Sequence, residues 1–188
     1  MTTPTAMTTP TTVLFGLQDD HRRWILLNAI GMAAAMNAGV NAALAWVSSA
    51  GSRVVPMASL PIVGGPSTLT DTLGTLFVLP FVTTLMVTLA VRRERRLARL
   101  APFQPDAQWQ SVVGRLPSFV LGRAAVSGSV CLAVVGPVAA LAVVGLRFGD
   151  ITPAAFVSYK VFLGVGLGLL ITPLVAVFAM AEPGVSPQ

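Results

Sequence analysis

Val91–Arg99 reads Val-Arg-Arg-Glu-Arg-Arg-Leu-Ala-Arg. Arg92, Arg93, Arg95, Arg96 and Arg99 end an apolar run, Leu73–Val91, that holds no charged residue. A second uncharged run, Ala124–Leu146, follows further on. Cytoplasmic loops retain Lys and Arg, so a dense arginine block between two runs long enough to cross a bilayer is a topology signal. The fold implied is all-α: an integral membrane four-helix bundle around one cytoplasmic basic loop, with both termini cytoplasmic.

The totals agree. The 188 residues are 54% hydrophobic and 10% charged, with a mean hydropathy of +0.79. Soluble domains carry about 25% charged residues, so the deficit points to lipid as the solvent. A net charge of +5 could suggest nucleic acid. Here, however, the basic residues collect at the ends of apolar runs, where they meet anionic head groups. The expected partners are the lipid bilayer and either a second copy or another membrane protein, with no nucleic acid. One cysteine and one histidine exclude an intrachain disulfide, a Cys-rich metal site and a multi-histidine cluster.

Outward from the arginine block, four spans are expected, at about 24–47, 73–91, 119–146 and 154–181. The basic loop covers 92–118, and residues 1–23 and 182–188 form a juxtamembrane tail and a short polar tail. The Thr/Pro tract Met1–Thr12 has no periodicity and is predicted to be disordered. A signal peptide competes for the first run, but that run exceeds the ~7–15 residues of a signal h-region. Ser48–Asp71 is Gly/Pro-rich yet oddly apolar, suited to the outer membrane face or to capping the bundle. In the basic loop, Trp109, Val112, Val113 and Leu116 share one helical face, a short amphipathic helix along the inner surface with Asp106 as its cap.

The sides follow from the basic residues. Inner segments hold Arg22, Arg23, Arg92, Arg93, Arg95, Arg96, Arg99, Arg115 and Arg123, while outer ones hold Arg53, Arg147 and Lys160. This places a multi-pass protein in the cell (plasma) membrane. The arginine block itself is read as a retention signal and an anionic-lipid contact.

Helices in lipid associate through close backbone approach and interhelical hydrogen bonds. Gly31, Ala35 and Gly39 in the first span, and Gly164 and Gly168 in the fourth, are the candidate packing stripes. Pro80, Pro137 and Pro173 lie inside spans, and Thr84, Ser129 and Thr172 are the hydroxyls placed to satisfy the freed carbonyls.

Few residues could carry chemistry. Asn37 and Asn41 share a face away from the first glycine stripe. They either make interhelical hydrogen bonds or, with Thr83, Thr84 and Ser129, line a polar path. Asp71 and Lys160 have opposite signs at similar depth and are a candidate outer-face ion pair. The competing account has Asp71 capping the second helix and Lys160 snorkelling. Cys131 is read as packing and His21 as solvated. Ser127 and Ser129 have no base nearby, so no catalytic, cofactor-binding or metal residue is named. The expectation is a non-enzymatic scaffold or accessory subunit of a membrane complex, with a small oligomeric permease or channel near Asn37/Asn41 as the alternative.

Overall fold

The computed structural model describes residues 19–58, 67–100, 107–145 and 149–182. The Thr/Pro tract, Asp106, Arg147 and the last six residues lie outside the described residues, as do the side chains of Asn28 and Trp109. Helices run over α1 Asp19–Trp24, a π-helical segment Ile25–Gly31, α2 Met32–Ser49, α3 Thr68–Arg96, α4 Ala107–Gly114, α5 Val120–Gly145 and α6 Pro153–Met180. No β-strand occurs among the described residues. An antiparallel bridge joins Val55 to Ile151.

Among the described residues three helices, α3, α5 and α6, are long and apolar enough to cross a membrane. The first expected span differs. Its helix starts at Asp19 and changes to π geometry for seven residues, and α2 carries Asn37, Gly39, Asn41 and two serines. The π segment has a geometric consequence. At 3.6 residues per turn, Ile25 and Asn37 would point about 120° apart. The i→i+5 bonds of a π helix wind more residues into each turn and take up that difference. His21 is buried before the segment, Ile25 at its first residue, and Asn41, Ala45 and Ser49 after it. Both the π segment and α2 pack on α6.

The boundaries of α3 and α6 have local causes. Ser67 caps α3, its Oγ accepting from the Thr70 N–H at 3.2 Å. The cap is therefore Ser67, and Asp71 lies in the first turn. Thr152 caps α6 and accepts from the Ala155 N–H at 3.3 Å, with Pro153 following where its missing donor costs nothing. The α3 helix runs on through the arginine block to Arg96. Arg92, Arg93, Arg95 and Arg96 are thus helical, which corrects the expected loop start at residue 92. Helix formation outlasts the apolar run because Arg and Glu are good helix formers.

α2 packs on α6, α6 on α3, and α3 on α5, and among the described residues no other pair of these four meets extensively. The four stretches form a row with α2 and α5 at its edges. Glycines set two of the seams. A Cβ on Gly128 of α5 would lie 2.7 Å from the Phe77 carbonyl oxygen of α3. On Gly168 of α6 it would lie 2.5 Å from Asn37 Nδ2, and on Gly164 it would lie 2.9 Å from Asn41 Cγ.

Three apolar clusters hold the row. Leu76, Leu79 and Leu167 occupy the middle, with Cys131 and Leu132 against them. Ala45, Val55 and Phe156 close one end. There Val55 N–H donates to Ile151 O at 2.8 Å, and the Thr68 and Leu69 N–H groups donate to Pro56 O and Met57 O. The apolar loop after α2 thus ties both interhelical connections of that end together. At the other end Ile25, Val87, Val91, Leu100, Val113 and Met180 pack as one cluster. Val113 of α4 is part of it, whereas the adjacent Val112 is exposed. The short helix therefore caps this end through Val113, and Val112 does not share its buried side.

Candidate functional site

Three places among the described residues hold groups of buried or part-buried polar side chains. The first joins α3 and α6 near their N-terminal ends. Lys160 Nζ lies 2.5 Å from Asp71 Oδ2 and also donates to Thr75 Oγ1. Thr75 Oγ1 in turn donates to the Asp71 carbonyl at 2.8 Å. Beside them the Thr72 and Tyr159 hydroxyls are 2.8 Å apart, and Thr72 reaches back to Thr68 O at 2.6 Å. An ammonium group in hydrocarbon needs a counter-charge and hydrogen-bond partners. Asp71 and Thr75, one turn apart on α3, supply both.

The second place is the opposite end, where α3 and α5 meet the end of α6. Glu182 Oε2 accepts from Arg92 Nε at 2.9 Å, and Glu182 Oε1 accepts from Arg123 Nη1. Arg95 Nη1 donates to the Glu182 carbonyl at 2.9 Å. Arg123 Nε donates to Pro117 O at 2.7 Å. Helical geometry divides the arginine block. Arg92 and Arg95, three apart, turn toward Glu182, whereas Arg93, Arg96 and Arg99 are exposed. Arg99 makes only a loose pair with Glu94 at 3.9 Å. Two of the five arginines expected to meet lipid thus hold the protein together, and Arg123 joins them.

Sequence reasoning placed Glu182 in a polar tail and missed this role. One clue was available: Glu182 directly follows the fourth apolar run. With both α3 and α6 ending at the basic end, it becomes the acid nearest Arg92.

The third place is the α2–α6 seam. Asn37 and Asn41 both lie against α6, on Gly168 and Gly164. Asn41 Nδ2 donates to Asn37 O at 2.8 Å. Asn37 Nδ2 is buried and has no hydrogen-bond partner among the described residues. The residues grouped with this pair are dispersed. Thr83 and Thr84 are buried on α3, and Ser129 is exposed on α5. The Thr84 and Thr172 hydroxyls, expected to repair proline breaks, have no hydrogen-bond partner among the described residues. Gly31, Ala35 and Gly39 are exposed in the described chain. Of the two small-residue stripes, only Gly164/Gly168 forms a seam within it. His21 is buried rather than solvated. Among the described residues no three His, Cys, Asp or Glu side chains gather as a metal site would need.

No protein-family model, curated protein or solved structure matches this chain. What bears on function is the three polar places and the arrangement of the helices.

Proposed function

We propose that the chain is a multi-pass protein of the cell membrane that acts as a non-enzymatic helical scaffold or accessory subunit. Its partners are the bilayer and either another membrane protein or a second copy. All four long helical stretches cross, and both termini are cytoplasmic. The basic end, with Arg92, Arg95, Arg123 and Glu182, is the inner one.

One observation carries the reading: the helices stand in a row. α5 touches only α3 extensively and leaves Val130, Val134, Val138 and Leu141 uncovered. A row of helices offers long lateral faces to lipid or to neighbouring subunits and encloses no lumen of its own. The Asn37/Asn41 pair, packed on two glycines, fits a structural seam.

The channel reading keeps one supporting observation. The unsatisfied Asn37 Nδ2 could be completed by water or by another copy in an oligomer. The full chain purified in mild detergent decides between them. Stable co-purification of one membrane protein at fixed stoichiometry, with no flux of ions or small solutes above empty liposomes, is expected. Solute flux abolished by Asn37→Leu in a folded variant would overturn the scaffold reading.

A further inference from the structure

Charge at the end of α3 does not balance. Three guanidinium groups, from Arg92, Arg95 and Arg123, surround one carboxylate. Among the described residues Arg95 bonds only the Glu182 carbonyl, which carries no formal charge. Two positive charges are therefore left over in a place where the Arg123 side chain is 11% exposed and that of Glu182 8%. Among the described residues, the nearby acids do not supply the difference. Glu94 is engaged with Arg99, and Asp19 and Asp20 are exposed on α1.

Two further features make the place a receptor rather than a general basic surface. Arg92 spends only its Nε on Glu182, and its two Nη groups have no partner among the described residues. Glu182 holds Arg92 and Arg123 from one carboxylate, so both forks are fixed before any ligand arrives. The cluster also begins at the first residue after Leu73–Val91, which is the depth at which hydrocarbon gives way to head groups. Guanidinium forks at that depth suit a phosphate group, whose oxygens accept charge-assisted hydrogen bonds.

We infer that the Arg92–Arg95–Arg123–Glu182 cluster is a binding site for a phosphate group, supplied by the head group of an anionic membrane lipid. Arg95 and the Nη groups of Arg92 donate to the phosphoryl oxygens. Glu182 is the positioning residue that keeps the arginines in place. The exposed Arg93 contributes only to the diffuse potential. This site does not depend on whether the protein is a scaffold or a channel.

The test uses the full chain in nanodiscs of phosphatidylcholine alone, in discs that also contain phosphatidylglycerol, and in phosphatidylcholine discs with inorganic phosphate added. Thermal unfolding and native mass spectrometry are the readouts. Phosphatidylglycerol is expected to raise the unfolding temperature of the unmodified chain and to stay bound in the gas phase. Arg95→Gln leaves both carboxylate bonds of Glu182 intact and removes only the bond to its carbonyl, so its unfolding temperature in phosphatidylcholine alone should fall by no more than a few degrees. Its affinity for phosphatidylglycerol should fall about tenfold, as expected for one lost charge-assisted hydrogen bond, while Arg93→Gln should retain the parent's affinity. Should Arg95→Gln unfold in phosphatidylcholine, Arg92→Lys replaces it, since it keeps a charge for Glu182 but loses the fork. Stabilisation by inorganic phosphate with the same Arg95 dependence supports the site and assigns it a soluble source. No stabilisation by either anion, or equal loss in Arg93→Gln and Arg95→Gln, overturns it.

Discussion

Lys160 Nζ lies 2.5 Å from Asp71 Oδ2, and the two partners are unequally buried: the lysine side chain is 3% exposed, the aspartate 36%. That inequality makes the two single substitutions inequivalent. Asp71→Asn leaves an ammonium group in the α3–α6 seam with Thr75 as its remaining partner, whereas Lys160→Met leaves a carboxylate that water can reach. Removing one partner of a buried pair costs about 3–5 kcal/mol. Asp71→Asn should approach the low end of that range and Lys160→Met should cost less. Thermal unfolding in mild detergent reads the order. The exchange Asp71→Lys with Lys160→Asp should be more stable than Asp71→Lys alone, and if it is not, the pair does not hold the helices.

The glycines separate by what surrounds them. A methyl group on Gly164 or Gly168 meets the Asn41 or Asn37 amide, while one on Gly39 meets nothing within 4 Å. Gly164→Ala and Gly168→Ala should each destabilise by about 1–3 kcal/mol, the usual range for forcing volume into a packed seam. Gly39→Ala should stabilise the helix by up to about 1 kcal/mol through propensity. Equal unfolding temperatures for Gly39→Ala and Gly168→Ala would show that α2 does not pack where the structure puts it.

How much of this was legible beforehand depends on the kind of signal. The apolar runs of α3, α5 and α6 and the arginine block are local features; the expected spans match α5 and α6 to within one residue at each end, but the one for α3 falls five residues short at each end. The π segment was not visible, because a wider turn leaves no mark in composition. It shows only as a shift between the buried positions up to Ile25 and those after Gly31. Which glycine stripe would be used depends on which helix becomes the neighbour, so Gly164/Gly168 could not be separated from Gly31/Ala35/Gly39. Asp71 and Lys160 could be matched in sign and depth, but their contact needs α3 beside α6. Glu182 was the hardest to read: its role arises only when three helix ends converge.

Glu182→Ala removes the carboxylate that bridges α3 and α5 and leaves Arg92 and Arg123 without their shared partner. A loss of about 3 kcal/mol is expected, as for other broken, largely buried charge pairs. Glu94→Gln, which touches only the loose and exposed Arg99 pair, should change stability by less than about 0.5 kcal/mol. Denaturation of the two variants side by side checks the contrast. A neutral Glu182→Ala would mean that the cluster does not join the helices.

The proposed orientation can be tested by labelling in intact cells. Ser52 and Ser118 are both exposed, and they lie at opposite ends of the row. Single cysteines at these positions, in a Cys131→Ser background, should react differently with an impermeant maleimide. Ser52→Cys should label from outside, and Ser118→Cys should label only after the cells are opened. The reverse pattern would invert the protein in the membrane and place Glu182 outside.

The last turn of α3 is held by an unusual residue for its position. Ala98 N–H donates to Arg95 O at 3.1 Å and Arg99 N–H to Glu94 O at 3.0 Å, the pairing of a helix stop that turns through left-handed backbone. Ala98 has φ 53°, where an L side chain costs about 1–2 kcal/mol and glycine costs little. Part of that gain is returned by glycine's greater freedom in the unfolded chain. Ala98→Gly should therefore stabilise by about 0.5–1 kcal/mol, and Ala98→Val should destabilise. Because Arg95 accepts one of the two closing hydrogen bonds, fraying this turn should also loosen its grip on Glu182. Ala98→Val is thus expected to lower the unfolding temperature less in an Arg95→Gln background than in the parent. Full additivity of the two would show that the helix stop and the arginine cluster are independent.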